Sequence, residues 1–161
     1  MTEDLTSSVD GLDDKVPLSA RWLGGFGVVP FIGLAGAAPV LAGSSRVFVA
    51  HALVAYGATI LSFLGGVHWG LAMGSQHVAH SGKLPGRLSL SVVPSLAAWA
   101  ALLVGETTGL LVLAAAIAAM LWVDVRATRL GQAPPWYPKL RIPLTIAVVA
   151  ALLSGAMVSI T

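Results

Sequence analysis

The chain has 161 residues, of which 57% are hydrophobic and only 10% charged, and its mean hydropathy is +0.87; a soluble core of this size cannot hide that much apolar side chain. Nine Lys and Arg against seven Asp and Glu give a net charge of +2, and no aromatic-interleaved basic patch lies outside the loops, which argues against a nucleic-acid partner. The lack of cysteine excludes disulfides, thiol nucleophiles, iron–sulfur clusters and Cys-bound zinc.

Residues 1–20 hold five carboxylates (Glu3, Asp4, Asp10, Asp13, Asp14) and one base, Lys15. A secretory signal needs a basic start, a short apolar run and a cleavage site. This stretch reads instead as a disordered acidic tail, with the chain entering the membrane near Arg21 and Trp22. From there residues 21–161 form one transmembrane domain with five apolar stretches, about 22–41, 47–73, 88–104, 109–124 and 142–160. Each approaches the ~20 residues needed to cross a ~30 Å hydrocarbon layer. Backbone groups in lipid must be satisfied internally, so the stretches are predicted to be helices. The expected fold is all-α, an integral membrane bundle of five transmembrane helices.

The loops orient the bundle. Eight of the nine basic residues (Lys15, Arg21, Lys83, Arg87, Arg126, Arg129, Lys139, Arg141) fall on one side of a five-pass arrangement and only Arg46 on the other. Positive charge stays inside, which puts the N terminus on the cytoplasmic side and the C terminus on the opposite one. The expected location is a bacterial inner membrane, or the mitochondrial inner membrane in a eukaryote. Short turns at Gly43–Arg46 and Gly105–Thr108 make the first and second helices, and the third and fourth, antiparallel neighbours. Pro134, Pro135 and Pro138 should keep the loop from Arg126 to Arg141 extended, with Trp136 and Tyr137 as interfacial anchors.

Small residues Ala58, Ser62, Gly66 and Gly70 recur every four positions in the second helix, a stripe suited to close helix packing. That helix is expected to be central, because it also bears most of the intramembrane polar groups. Pro30 and Pro39 in the first helix and Pro94 in the third are expected to kink them.

Pumps and carriers keep charges within their spans, and these spans have none near the midplane; the titratable groups there are His51 and His68. Seventeen positions on one helix separate them by about 25 Å at ~1.5 Å per residue, too far to ligate one iron. His77 and His80 in the loop have metal-compatible spacing but no third ligand. No cofactor or metal is expected.

One constellation does follow from topology. His68, Trp69 and Gly70 near the end of the second helix, Ser89 and Ser91 at the start of the third, Asp124 at the end of the fourth and Arg141 at the start of the fifth converge on the positive side. On a continuing helix Arg126 lies about 200° and Arg129 about 140° around the axis from Asp124, so the carboxylate should pair with another segment: Arg141, His68, Arg21 or Arg87.

The blocks YGATILSFLGGVHWGLA (56–72), LSVVPSLAAWAALL (90–103) and DVRATRLGQAPPWYPKLRIPLT (124–145) resemble the signature segments of the DUF3429 family, which includes the mitochondrial transmembrane protein 69 group. The resemblance covers about residues 20–158. It implies a small polytopic protein of bacterial inner membranes or mitochondria with no established biochemical activity, and a basic group, His or Arg, at position 68.

Function is expected to be non-enzymatic: an accessory or assembly factor that meets a membrane-protein partner, or a second copy of itself, through a surface of Trp136, Tyr137, Arg126 and Arg141. The alternative is a site for a lipid, quinone or porphyrin at the cytoplasmic ends of the second to fifth helices, set between the second, third and fifth and built from His68, Trp69, Tyr56 and Ser91 with Asp124 and Arg141 at its mouth. A headgroup-level enzyme with His68 as base and Asp124 as its orienter uses the same cluster, but no spacing demands it.

Overall fold

The computed structural model describes residues 15–74 and 84–160, and all regular structure among them is helical. Helix α1 (Leu18–Ala37) leads into a 3-10 turn (Ala38–Val40), followed by α2 (Ser44–Gly74), α3 (Leu84–Leu103), α4 (Glu106–Arg129) and α5 (Tyr137–Ile160). The expected loop residues His77, His80 and Lys83, and the tail residues 1–14, lie outside the described residues.

Four helices, α1 with its turn, α2, α4 and α5, are long and apolar enough to cross a membrane; the apolar part of α3 is the shorter Leu88–Leu103. The 31 residues of α2 span about 46 Å at ~1.5 Å per residue, more than a ~30 Å hydrocarbon layer. The bundle wears its apolar side chains outward: Trp22, Phe26, Phe48, Phe63, Trp99 and Trp122 are each over 60% exposed. Such a surface is stable against lipid and not against water, so this is a membrane protein.

Helix ends explain the turns. Gly43, Gly105 and Gly131 have φ of 57°, 82° and 68°, a region where a Cβ is strained. At Gly131 the requirement is clearest, because its N–H donates to the Thr128 carbonyl while the next N–H, of Gln132, reaches Ala127. That paired closure is the Schellman motif, and it stops α4 five residues beyond Asp124. The Pro-rich run departs from the extended expectation: Pro134 and Pro135 lie in a turn, but Pro138 sits in the first turn of α5, where a missing N–H breaks no helical bond. Likewise α1 starts at Leu18, inside the expected tail, and ends before Pro39, which opens the 3-10 turn instead of kinking α1.

Helix α2 is central, touching all four other helices, while the most extensive contacts run between α2 and α3 and between α4 and α5. The two pairs joined by short turns are also in contact. Phe31, Leu53, Leu61, Leu110, Leu113, Ile117 and Leu152 form the fully buried centre, and the Tyr56 hydroxyl donates to the Gly27 carbonyl at 3.0 Å.

The close-packing face of α2 is not the one expected. Ala58 is buried and Ser62 half-buried, but Gly66 and Gly70 are exposed, and a Cβ on either would meet nothing within 4 Å. The tight approaches are at Gly57 and Gly65, where a Cβ would stand 3.0 Å from Leu113 Cδ1 and 2.5 Å from the Ser91 carbonyl oxygen, respectively. Both alternatives repeat at helical spacing; a displacement of one residue, about 100° of rotation, separates them.

Candidate functional site

Asp124 is the one charged side chain among the described residues with no exposure, at 0%. Its environment is built by three helices. His68 of α2 donates from Nε2 to Oδ1 at 2.7 Å, and Arg141 of α5 donates from Nε to Oδ2 at 2.7 Å. The two partners are themselves largely shielded, with side chains 15% and 10% exposed. Of the four partners the sequence offered Asp124, the structure brings together two at once. Arg126, as its helical angle requires, turns away and lies over the Trp122 ring at 5.5 Å; Arg21 is exposed on α1.

A carboxylate without water is costly unless both oxygens find donors. Here His68 serves one oxygen and Arg141 the other, and the Tyr137 hydroxyl donates to the same carboxylate. The arrangement also fixes relative helix positions, since α2, α4 and α5 all meet at one carboxylate. Thr128 on the next turn of α4 donates to the Asp124 backbone carbonyl at 3.2 Å. Arg141 uses only Nε for the pair: its Nη2, and the Thr145 hydroxyl one turn further along α5, are buried without a partner.

Tyr137 joins the cluster, its hydroxyl hydrogen-bonded to the Asp124 carboxylate, while Trp69 and Trp136 lie apart from it. Trp69 is 42% exposed and faces outward, away from the cluster. Trp136 and Tyr137 are half-buried and stack edge-on, with ring centroids 6.1 Å apart; the Tyr137 hydroxyl lies in the field of both Asp124 and Arg141. Of the surface expected from Trp136, Tyr137, Arg126 and Arg141, Arg126 is exposed, the two rings are half-buried and Arg141 is buried. His51, counted among the intramembrane titratable groups, is on the outside of α2.

Beside the cluster runs a cavity of about 500 Å³ between α2, α3 and α4, within the size range of sites for small molecules. Along the helix axes its lining runs from Leu61, Ala97 and Ala116, past His68 and Ser91, to Arg126, Leu130 and Gln132 at the Arg-rich end. His68 therefore belongs to both features: its Nε2 holds Asp124 while the ring lines the cavity wall. Ser91 is 5% exposed and gives its hydrogen to the Leu88 carbonyl at 2.7 Å. That hydrogen is not directed at His68, so the nucleophile–base contact of a serine triad is not formed. Among the described residues no three His, Cys, Asp or Glu side chains group as metal ligands would.

Sequence reasoning found His68 and Ser91 but missed the apolar lining (Val93, Ala97, Ala116, Ala119, Met120). Nothing in the sequence distinguishes those positions, since small and branched apolar residues fill every helix; only the way three helices diverge makes them a wall.

Comparison with known proteins agrees with the three sequence blocks. Residues 16–157 match the family described as "Protein of unknown function (DUF3429)". Transmembrane protein 69 of Xenopus tropicalis is 38% identical over 146 residues, covering 86% of this chain and 54% of the relative. Transmembrane protein 69 of Mus musculus is 29% identical over 133 residues, covering 81% and 52% respectively. The chain thus spans about half the length of these relatives. No solved structure matches significantly. With a match over most of its length and a relative of this identity, the chain belongs to the DUF3429 family of transmembrane proteins.

Proposed function

We propose that this protein binds one small lipidic molecule in the cavity between α2, α3 and α4, at the positively charged side of the membrane. The observation that carries the reading is the cavity itself: about 500 Å³, lined by apolar side chains and polar only at His68, Ser91, Arg126 and Gln132. An apolar tail between helices and a polar end near the headgroups is the arrangement of an amphiphile in its own leaflet. Asp124 supports the site from behind, holding His68 in one orientation, as a buried second layer does for a binding residue. The proposal includes five passes, with the N terminus on the side rich in Lys and Arg. That side is the cytoplasm of a bacterium or, in a eukaryote, the mitochondrial matrix.

The test is native mass spectrometry of the protein extracted from its own membrane in a mild detergent. A retained mass in the small-lipid range, lost in Ala119→Trp, which fills the cavity, supports the reading. A lone chain carrying nothing, or the same mass retained in Ala119→Trp, overturns it. A stoichiometric protein partner and no small molecule would return the accessory role to first place.

A further inference from the structure

We infer that a second site lies on the outside of the bundle: the groove where α1 and α5 begin binds the phosphate head of an anionic phospholipid. It shares no lining residue with the cavity between α2, α3 and α4, so neither site depends on the other. Helices α1 and α5 are in contact, and both are long and apolar enough to span. At their N-terminal ends they enclose a groove of about 540 Å³. Three of its lining side chains are cations, Lys15, Arg21 and Lys139, all exposed, and the rest are apolar. Helix packing brings the two sides of the groove together. A Cβ on Gly24 would stand 2.7 Å from Leu144 Cδ1 and 3.5 Å from Leu140 Cδ1, so the glycine lets α1 lie against the two leucines that line the groove.

The charge of the groove is positive. Among the described residues the only carboxylates are Glu106, in the first turn of α4 at the opposite end of the bundle, and Asp124, engaged with His68 and Arg141; neither lines the groove. Asp13 and Asp14 precede Lys15 in the chain, two negative charges against three positive ones. Neither α1 nor α5 has an acidic residue in its first turn, so the dipoles of both helices add to the same sign.

A lipid head suits this place better than a small free anion. Exposed cations hold an anion weakly in water, and here they stand at the ends of two spans, at the level of the headgroups. Leu18, Trp22 and Ile142, on the same turns of α1 and α5, are 69%, 62% and 42% exposed and offer an acyl chain an apolar surface. The tail supplies affinity that the charges alone lack. The phosphate meets the Arg21 guanidinium as a fork and the two lysines as point charges, the kind of basic pocket between helices that recognises anionic heads.

The test is native mass spectrometry of the purified, delipidated full chain in detergent, titrated separately with dioleoyl phosphatidylglycerol, dioleoyl phosphatidylcholine and inorganic phosphate. The two lipids share their tails and differ in the net charge of the head. Phosphatidylglycerol is expected to bind roughly tenfold or more tighter than phosphatidylcholine, and inorganic phosphate is not expected to be retained. Arg21→Gln and Lys139→Gln should each weaken phosphatidylglycerol about fivefold, the effect of one basic residue at an anionic surface. Lys139→Arg, which keeps the charge, should bind as the parent does. Lys15→Gln, Arg21→Gln and Lys139→Gln together should abolish the preference, whereas Arg129→Gln, which removes a charge at the same end of the bundle but outside the groove, should leave it intact. Equal binding of the two lipids, binding of neither, or a preference that survives the triple variant or falls as far in Arg129→Gln, overturns the inference. Inorganic phosphate held as tightly as phosphatidylglycerol overturns the lipid as the source of the phosphate. Phosphatidylglycerol lost in Ala119→Trp but kept in the triple variant belongs to the cavity, which overturns this inference and leaves the cavity reading standing.

Discussion

Arg141 and Asp124, 17 residues apart across the only proline-rich loop, meet with Nε and Oδ2 at 2.7 Å inside the bundle. The contact locks the end of α4 to the start of α5, and His68 extends the lock to α2. A clamp of this kind is weak as a source of net stability yet severe when broken.

Removing one member leaves an unbalanced charge in a site largely shielded from water. Asp124→Ala is expected to destabilise the protein by about 3–5 kcal/mol, whereas the paired change Asp124→Leu with Arg141→Met should recover most of that loss. Thermal unfolding in detergent, followed for both singles and the double, measures the coupling; singles that simply add would contradict the clamp.

Glycine replacements separate the two possible packing faces of α2. Gly65→Ala puts a Cβ 2.5 Å from the Ser91 carbonyl oxygen, so α2 and α3 must move apart, at an expected cost of about 1–3 kcal/mol. Gly66→Ala, one position on and open to the outside, should change stability by no more than ~0.5 kcal/mol. Equal melting shifts for the two variants would mean the helix is rotated from the position described.

Tyr56→Phe deletes the hydroxyl that reaches the Gly27 carbonyl at 3.0 Å and keeps the ring contact with Phe31, whose centroid lies 4.8 Å away. The expected loss is about 1 kcal/mol, one hydrogen bond. Tyr56→Leu should lose more, because ring packing goes too; the ranking of the two melting temperatures is the check.

Because the chain has no cysteine, single cysteines report its orientation without background. Ser45→Cys, in the first turn of α2 beside Arg46, is expected to react with a membrane-impermeant maleimide from outside intact cells. Lys139→Cys should react only after the membrane is opened. The reverse pattern would invert the proposed topology.

The helices were legible because their signal is cumulative: long apolar stretches between Gly turns and charged loops leave a chain in lipid no other backbone. Most ends were read short, since positions that extend the helices, such as Glu106–Thr108 at the start of α4 and Thr128 and Arg129 at its end, are polar or charged and hydropathy cannot separate a helical turn from a loop; the end of α1 was read long, to 41 where the helix stops at Ala37. Schellman geometry at Gly131 sets one end, and the N-terminal tolerance for proline another. The polar cluster was legible as a short set of candidates, because alternating topology sends His68, Asp124 and Arg141 to the same side.

By itself, then, the sequence determined a membrane-embedded helical chain with its few buried-capable polar groups gathered at the positive end. Tertiary structure alone decided that Asp124 takes both His68 and Arg141, that Gly65 instead of Gly66 meets α3, and that a cavity opens beside His68. The physical reason is rotation. When every face of a helix is apolar, lipid accepts any of them, so sequence pattern no longer selects which face turns inward. Shape matching between neighbouring helices and the need to pair one buried carboxylate make that choice.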